Sequence, residues 1–181
     1  REQGAVVMGK TVTTEFAWRN PGPTANPHNL LHTPGGSSSG SAAGTADFQV
    51  PLAFGTQTAG SVIRPAAYCG VVGFKPSVGT HDRTGVKELS KYLDTLGTFA
   101  RSVEDVTFFD SALRGISPPP LDIFKDAPPR FGVMVPFSVE ARAEALGALE
   151  SGWRHAEAQG ATILDIASSA GFEALADLQT V

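Results

Sequence analysis

Two serines in glycine-rich turns are the residues of this chain whose types and spacing best suit chemistry. Ser37 follows a glycine pair in residues 35–41 (GGSSSGS), and Ser61 follows Gly60 in residues 56–66 (TQTAGSVIRPA). Glycine lets a turn adopt positive φ and lets a substrate approach the backbone closely. A serine in such a turn is exposed, and the neighbouring backbone N–H groups can stabilise an oxyanion. The pattern therefore indicates a hydrolase with a serine nucleophile.

A serine hydroxyl is a poor nucleophile until a base removes its proton, and histidine is the usual base. The chain contains four histidines, of which His28 and His32 precede the first glycine turn while His81 and His155 lie elsewhere. No Gly-x-Ser-x-Gly elbow is present, and no Asp and His follow in the order of the known hydrolases. A Ser-His-Asp enzyme is therefore the less favoured alternative.

The two serine motifs, continued by residues 69–76 (CGVVGFKP), resemble the amidase signature family of serine hydrolases. The resemblance is strongest over residues 4–113 and weaker over residues 130–181, where a strand–helix–strand pattern is the main match. It implies that Ser61 is the nucleophile and that Ser37 is a bridging serine that follows a cis peptide bond. The third member of the family's catalytic group is a lysine.

The resemblance also assigns roles to residues around the two serines. The backbone N–H groups of Thr58, Ala59 and Gly60 are expected to form the oxyanion hole, and Gly36 is expected to contact substrate. Because a positive φ would strain alanine, we expect an ordinary φ at Ala59. The alternative is that Ser37 and Ser61 are ordinary turn serines.

The catalytic lysine of the family comes from a Val-Lys-Asp-like segment far upstream of the first glycine motif. Only 36 residues precede Ser37 here, and Lys10 and Lys75 match other positions of the family. A general-base lysine must be neutral, so burial and neighbouring charge must lower its pKa from about 10.4. Neither lysine has a sequence context of that kind. We expect the catalytic lysine to be absent from this chain and the chain alone to lack amidase activity.

The second serine motif departs from the commonest family pattern, GTDxGGSIRxPA. Gln57 stands at the position of the Asp and Ile63 at that of the Arg, and the arginine is displaced to Arg64. This variant resembles the malonamidase-like branch, whose small substrates carry a carboxylate. One helical turn beyond Ser61, Arg64 could grip such a carboxylate bidentately. The alternative is that Arg64 pairs with an internal acid.

Composition limits the class of protein. The 181 residues are 41% hydrophobic and carry a net charge of −4, which favours a folded domain and argues against a nucleic-acid surface. No apolar run reaches the roughly 18 residues of a membrane span. The single cysteine, Cys69, excludes an internal disulfide, is expected to be a small buried hydrophobe, and fits a cytoplasmic protein. No metal-ligand spacing or phosphate loop is present, so we expect neither a metal nor another cofactor.

Hydrophobic patterns place these motifs on a succession of elements. Apolar runs predict strands at 5–9, 50–56, 131–135 and 161–166. Helical spacing and capping residues predict helices at 41–48, from Ser61 with Pro65 in its first turn, between Ser102 and Gly115, at 140–159, and from Ser168 or Ser169 to the last residue. The Gly/Ser-rich stretch before the first helix could instead be a flexible linker, but a helix that follows it directly favours an ordered loop.

The resemblance implies an α/β fold, a mixed central sheet flanked by helices on both faces, incomplete at both ends. We expect an amidase signature core at 1–115, a proline-rich connection at 116–130, and a βαβ continuation of the same domain at 131–181. The crossover of that unit should be right-handed. A sheet edge left by truncation could favour a homodimer.

The expected activity is hydrolysis of the C–N bond of a small carboxylate-bearing amide through an acyl-enzyme, with no nucleic acid or membrane as direct partner. Three alternatives stay open for the chain itself. It could be a transamidase component that resembles the amidase-like subunit of glutamyl-tRNA amidotransferase, which requires partner subunits. It could be a non-catalytic module that binds a small carboxylate. It could also be a piece of a longer enzyme, which we favour as the explanation of its length.

Overall fold

A three-stranded antiparallel sheet underlies the first of two units, residues 1–119. The computed structural model describes residues 4–122, 127–133 and 142–166. The strands are β1 (Ala53–Gln57), β2 (Val72–Phe74) and β3 (Thr95–Ala100), in the order β1-β3-β2. In this sheet Gln57 lies opposite Thr95 and Phe74 lies opposite Thr98. The central strand is thus β3, and the second serine motif follows directly from its neighbour β1.

Three α-helices and a short 3₁₀ turn (Glu15–Ala17) accompany this sheet: α1 (Ser39–Ala46), α2 (Ile63–Cys69) and α3 (Val103–Arg114). The predicted signals at both ends of α3 are confirmed. The Ser102 hydroxyl accepts a hydrogen bond of 3.0 Å from the N–H of Asp105, and Gly115 ends the helix at φ 65°. Pro65 lies in the first turn of α2, as predicted, where its missing N–H has no cost.

The core of this unit lies between α1, α2 and the sheet. Phe99 is its largest fully buried side chain, and around it pack small residues, namely Ala42, Ala43, Ala53, Val62, Ala66 and Cys69. Small side chains let the elements approach closely. A Cβ at Gly97 would lie 2.7 Å from the carbonyl oxygen of Phe74 and 2.9 Å from a methyl of Val62. The entrance of α2, which carries Ser61 just before it, therefore packs directly on β3.

The second unit, residues 120–181, contains a strand–helix–strand arrangement. Strands β4 (Arg130–Val133) and β5 (Thr162–Asp165) pair in parallel, and α4 (Ala143–Ala158) lies between them in the chain. The predicted βαβ unit is confirmed, with Gly160 at φ 94° just beyond the helix. The handedness of its crossover stays a prediction. The helix predicted from Ser168 or Ser169 lies outside the described residues.

The predicted strand at 5–9 is wrong. Val6, Val7 and Met8 are 81%, 66% and 75% exposed, and their backbone belongs to no strand. An apolar run becomes a buried strand only where a neighbouring strand pairs with it, and within the described residues none does. Two strands were not predicted, because β2 has three residues and β3 mixes glycine and threonine with its apolar residues.

Candidate active site

The first serine loop is ordered and buried, so its interpretation as a flexible linker is wrong. Ser37, Ser38 and Ser39 are each 2–3% exposed. The N–H of Thr14 donates to the carbonyl oxygen of Ser37 at 3.0 Å, and the Ser39 hydroxyl donates to the carbonyl oxygen of Val12 at 3.3 Å. The peptide bond between residues 36 and 37 is cis, at the place that the family resemblance implies.

The second serine turn, between β1 and α2, is shaped by the side chain of Gln57. Its Oε1 accepts hydrogen bonds from the N–H groups of Val62 (2.8 Å) and Ile63 (3.0 Å), and its Nε2 donates to the carbonyl oxygen of Ala59 (3.2 Å). Gln57 is 7% exposed. The N-terminal N–H groups of a helix need such an acceptor, so Gln57 both caps α2 and closes the turn around Ser61.

The two serine motifs are hydrogen bonded to each other through Ser38. Its N–H donates to the carbonyl oxygen of Ser61 at 3.2 Å. Its hydroxyl oxygen accepts from the N–H of Thr56 at 3.2 Å and lies 3.3 Å from the carbonyl oxygen of the same residue. Gly55 makes room for this contact, because a Cβ there would lie 2.7 Å from the Ser38 hydroxyl oxygen. Ser38 therefore fixes the loop of Ser37 against the turn of Ser61.

A cleft of about 100 Å³ opens beside both serines. Ser37, Ser61 and Thr58 line it, and further lining residues come from the segments 83–89 and 94–96. Three of the sequence-predicted site residues thus share one cleft. Gly36, Ala59, Gly60 and Arg64 are not among the residues that line it.

The turn from Thr58 to Gly60 holds the backbone donors that were predicted to form an oxyanion hole. Among the described residues, no acceptor takes the N–H groups of Thr58, Ala59 or Gly60. Ala59 has an ordinary φ, as expected, since it is not among the non-glycine residues whose φ is positive. Thr58 lines the cleft and Ala59 and Gly60 do not, so the oxyanion hole stays a prediction.

Within the described residues, no carboxylate lies within ion-pair distance of Arg64, and its guanidinium is held by a backbone acceptor. Its Nε donates a hydrogen bond of 3.0 Å to the carbonyl oxygen of Gly36. The guanidinium therefore lies beside the peptide that precedes Ser37. The arginine stands one position later than in the commonest family pattern, and from there it links α2 to the first serine loop.

Asp94 lines the cleft and was not identified from the sequence. Its carboxylate accepts hydrogen bonds from the Thr58 hydroxyl (2.5 Å) and from the N–H groups of Leu89 (2.7 Å) and Ser90 (2.9 Å), and Arg83 lies 3.9 Å away. Burial alone would raise the pKa of Asp94, but these hydrogen bonds and the Arg83 charge outweigh it and lower the pKa. A lone aspartate in a polar loop gives no signal in one sequence.

The lysines and histidines of the described residues take different places. Lys10 and Lys75 do not line the cleft, whereas Lys87 does, with its Nζ 5.9 Å from the ring centroid of Phe16. His28 bonds the carbonyl oxygen of Cys69 at 2.9 Å, and His81 bonds Asp110 at 2.9 Å. None of His28, His32 and His81 lines the cleft, so the described residues of this unit place no histidine base beside Ser61.

The remaining predictions concern the cysteine, metal sites and membrane-spanning helices. Cys69 is fully buried, as predicted, and burial raises the pKa of its thiol to about 11. Residues 4–122, 127–133 and 142–166 contain no cluster of three or more His, Cys, Asp or Glu side chains that could hold a metal ion. In those same ranges no helix is long and apolar enough to cross a membrane.

Comparisons with known proteins agree on one family. The sequence profile of the amidase family matches residues 1–166. The chain is 46% identical over 124 residues to a glutamyl-tRNA(Gln) amidotransferase subunit of Acidothermus cellulolyticus, and 45% identical over 124 residues to the corresponding subunit of Thermobifida fusca. Each alignment covers 65% of this chain and 25% of the relative. The chain thus spans about a quarter of the length of these relatives.

Solved structures give the same result for the fold. The chain is similar to a crystal structure described as an amidase, with a TM-score of 0.82 and 33% identity over 91% of this chain and 39% of that one. It is also similar to a glutamyl-tRNA(Gln) amidotransferase subunit of Thermotoga maritima, with a TM-score of 0.77 and 27% identity over 97% of this chain and 46% of that one. The predicted α/β fold class is confirmed.

Proposed function

The chain belongs to the amidase family, and from that premise we propose that it carries the nucleophile of an amidase active site. The observation that carries the proposal is the single cleft lined by both Ser37 and Ser61, whose loops are joined by the hydrogen bond from Ser38 to Ser61. One serine alone in a turn would have many explanations. Two buried or half-buried serines beside unpaired backbone donors indicate acyl transfer.

In the proposed reaction, the Ser61 Oγ attacks the carbonyl carbon of a carboxylic amide. Its proton passes to the Ser37 Oγ and from there to a neutral lysine amine, while the backbone N–H groups of Thr58 to Gly60 stabilise the oxyanion. The tetrahedral intermediate expels the amine, which takes a proton as the C–N bond breaks. Water then attacks the acyl-Ser61 ester and releases the carboxylic acid.

We propose a small amide that carries a carboxylate as the substrate. The cleft of about 100 Å³ suits a small molecule, and the cationic side chains of Arg83 and Lys87 line it. The Nε of Arg64 donates to the carbonyl oxygen of Gly36. Its two terminal guanidinium nitrogens make no hydrogen bond within the described residues, so they are available to bind a carboxylate bidentately. Gly36 and Arg64 do not line this cleft, so in this proposal they contact the substrate carboxylate at its margin, next to Ser37.

We further propose that this chain alone is not a competent amidase. Lys87 lines the cleft, but it is exposed and lies in a polar loop next to Glu88. A lysine acts as a general base only where burial or neighbouring positive charge keeps it neutral. The base would then come from the upstream segment that the family resemblance implies.

A transamidase component is the second candidate, because relatives at 43–46% identity are subunits of glutamyl-tRNA(Gln) amidotransferase. In that case the ammonia released at Ser61 would be passed on in a complex with other subunits. A module that binds a small carboxylate without forming an acyl-enzyme is the third candidate. A homodimer and a cytoplasmic location stay predictions.

The test compares two small amides that differ in charge. Ammonia release would be measured for malonamic acid and for propionamide, with the 181-residue chain and with the longest natural protein that contains it. We expect the longer protein to release ammonia with a preference for the charged amide, and its Ser61→Ala variant to release none. Ammonia release that requires added partner subunits would favour the transamidase. Binding of malonate without turnover in either protein would favour the binding module.

A further inference from the structure

The carboxylate of Asp94 bonds two segments of the chain that both border the cleft. Its Oδ1 accepts from the hydroxyl of Thr58, which lies just after β1, at 2.5 Å. Its Oδ2 accepts from the backbone N–H groups of Leu89 and Ser90 at 2.7 and 2.9 Å. Asp94 itself is 8% exposed and directly precedes β3. Each oxygen therefore serves a different segment of chain.

The two segments have different places in the cleft. Thr58 is the first residue of the turn whose N–H groups have no acceptor in the described chain and which leads to Ser61. The segment 83–89 lines the cleft with Arg83, Val86, Lys87, Glu88 and Leu89. It has no strand or helix of its own. The N–H of Val86 donates to the carbonyl oxygen of Arg83 at 3.0 Å, and the N–H of Leu89 depends on the Asp94 carboxylate for its acceptor.

Arg83 adds a second link within the same cluster. Its guanidinium lies 3.9 Å from Asp94 and 3.9 Å from Glu88, and it donates a hydrogen bond of 3.2 Å to the carbonyl oxygen of Lys91. The positive charge of Arg83 thus offsets the negative charge of the buried Asp94 carboxylate, which accepts three hydrogen bonds. Asp94 is the member of this cluster that reaches the turn of Ser61.

We propose that Asp94 is a positioning residue of this active site. Through its hydrogen bond to Thr58 it holds the turn of the proposed oxyanion donors in a fixed position relative to the cleft segment 83–89. The inference rests on the proposed function, since it assigns the turn a role in catalysis. It adds a residue outside the proposed catalytic group, because Asp94 acts through Thr58 and not on the reacting atoms. Displacement of catalytic groups by about 1 Å can cost about 100-fold in rate.

The variants Asp94→Asn and Thr58→Val remove one partner each with little change of volume. An Asn side chain has only one acceptor oxygen and cannot serve both segments. Asp82→Asn is the matched control, since the Asp82 carboxylate lies in the same stretch of chain but is exposed and accepts from its near neighbour Thr84 instead of from a distant segment. All variants would be made in the longest natural protein that contains this chain.

In the kinetic test, Asp94→Asn and Thr58→Val should each lower kcat by about 10- to 100-fold and change KM by less than about threefold. The double variant should be within about twofold of the worse single variant, because both break the hydrogen bond between Thr58 and Asp94. Asp82→Asn should stay within about twofold of the wild type. Multiplying effects, or a raised KM with unchanged kcat, would overturn the proposal.

A second readout does not depend on catalysis. Hydrogen exchange of the peptides that contain Leu89 and Ser90 should become faster in Thr58→Val. The hydroxyl of Thr58 bonds Asp94 and neither of these amides, so the effect would arise because a loosened Asp94 holds them less firmly. Unchanged exchange there would contradict the coupling even in an active enzyme. If the wild type hydrolyses no amide but the exchange is coupled, the proposed function fails and the structural link stands.

Discussion

The N–H of Ser38 donates a hydrogen bond of 3.2 Å to the carbonyl oxygen of Ser61. This bond joins the two glycine-rich turns, from Ser38, the neighbour of Ser37, to the carbonyl of Ser61 itself. The Ser38 side chain adds contacts to both backbone groups of Thr56, so the neighbour of Ser37 is held on β1 as well. The shared position of Ser37 and Ser61 in one cleft therefore follows from the backbone that carries them.

Ser37→Ala is expected to lower amide turnover by about 100-fold to 10,000-fold, because it removes the group that passes on the proton of Ser61. The measurement is kcat in the longest natural protein that contains this chain. Ser39→Ala is the matched control from the same loop, since its hydroxyl bonds Val12 and does not line the cleft. Equal losses in both variants would mean that Ser37 supports only the structure of the loop.

Gln57→Ala is expected to lower the free energy of unfolding by about 1–3 kcal/mol, because it leaves the N–H groups of Val62 and Ile63 without their acceptor. Denaturant unfolding measures the change. Gln57→Glu keeps the acceptor and should recover part of the loss. Gln49→Ala is the control, because the Gln49 side chain is exposed and donates to the side chain of Asp47. The same small loss at both glutamines would contradict the capping role.

Cys69 is expected to resist thiol reagents in the folded protein. Burial raises the pKa of its thiol from 9.0 to about 11, which leaves about 100-fold less thiolate at pH 8. Reaction with a disulfide reagent should therefore be at least about 100-fold slower in native buffer than in denaturant. Comparable rates in the two conditions would show that α2 opens readily.

The stability contributed by Asp94 should depend on pH in one direction. Its pKa is lowered in the folded protein, so the carboxylate stabilises the fold fully above the pKa of an unfolded aspartate, about 3.9, and this contribution is lost as the pH falls through the folded value. Asp94→Asn should therefore be less stable than the wild type at pH 7. The difference should shrink below about pH 3.9. Chemical denaturation across the pH range measures it, and a constant difference would contradict the assignment.

The features predicted correctly depend on local sequence. Helix α3 begins at Ser102 and ends at Gly115 because both caps act within one turn of the helix. The βαβ unit follows from two apolar runs with an amphipathic helix between them. The two serine motifs lie in turns because glycine and the start of a helix surround them.

The features that were missed depend on partners distant in the chain. Residues 5–9 have the composition of a buried strand, but a strand also requires a neighbour, which the described residues do not supply. Asp94 acquires its place only when β3 brings it to Thr58, 36 positions away. The hydrogen bond from Arg64 Nε to the carbonyl of Gly36 was likewise not foreseen, because its acceptor is a backbone group that every residue has; the carboxylate-binding role of Arg64 stays a prediction.

Covalent labelling would identify the nucleophile itself. The longest natural protein that contains this chain, its Ser61→Ala variant and the 181-residue chain would each be treated with a fluorophosphonate and mapped by peptide mass spectrometry. We expect one adduct, on Ser61 of the natural protein, and none on its Ser61→Ala variant or on the 181-residue chain. Amide hydrolysis that persists in Ser61→Ala, or an adduct on another residue that abolishes turnover, would contradict this expectation.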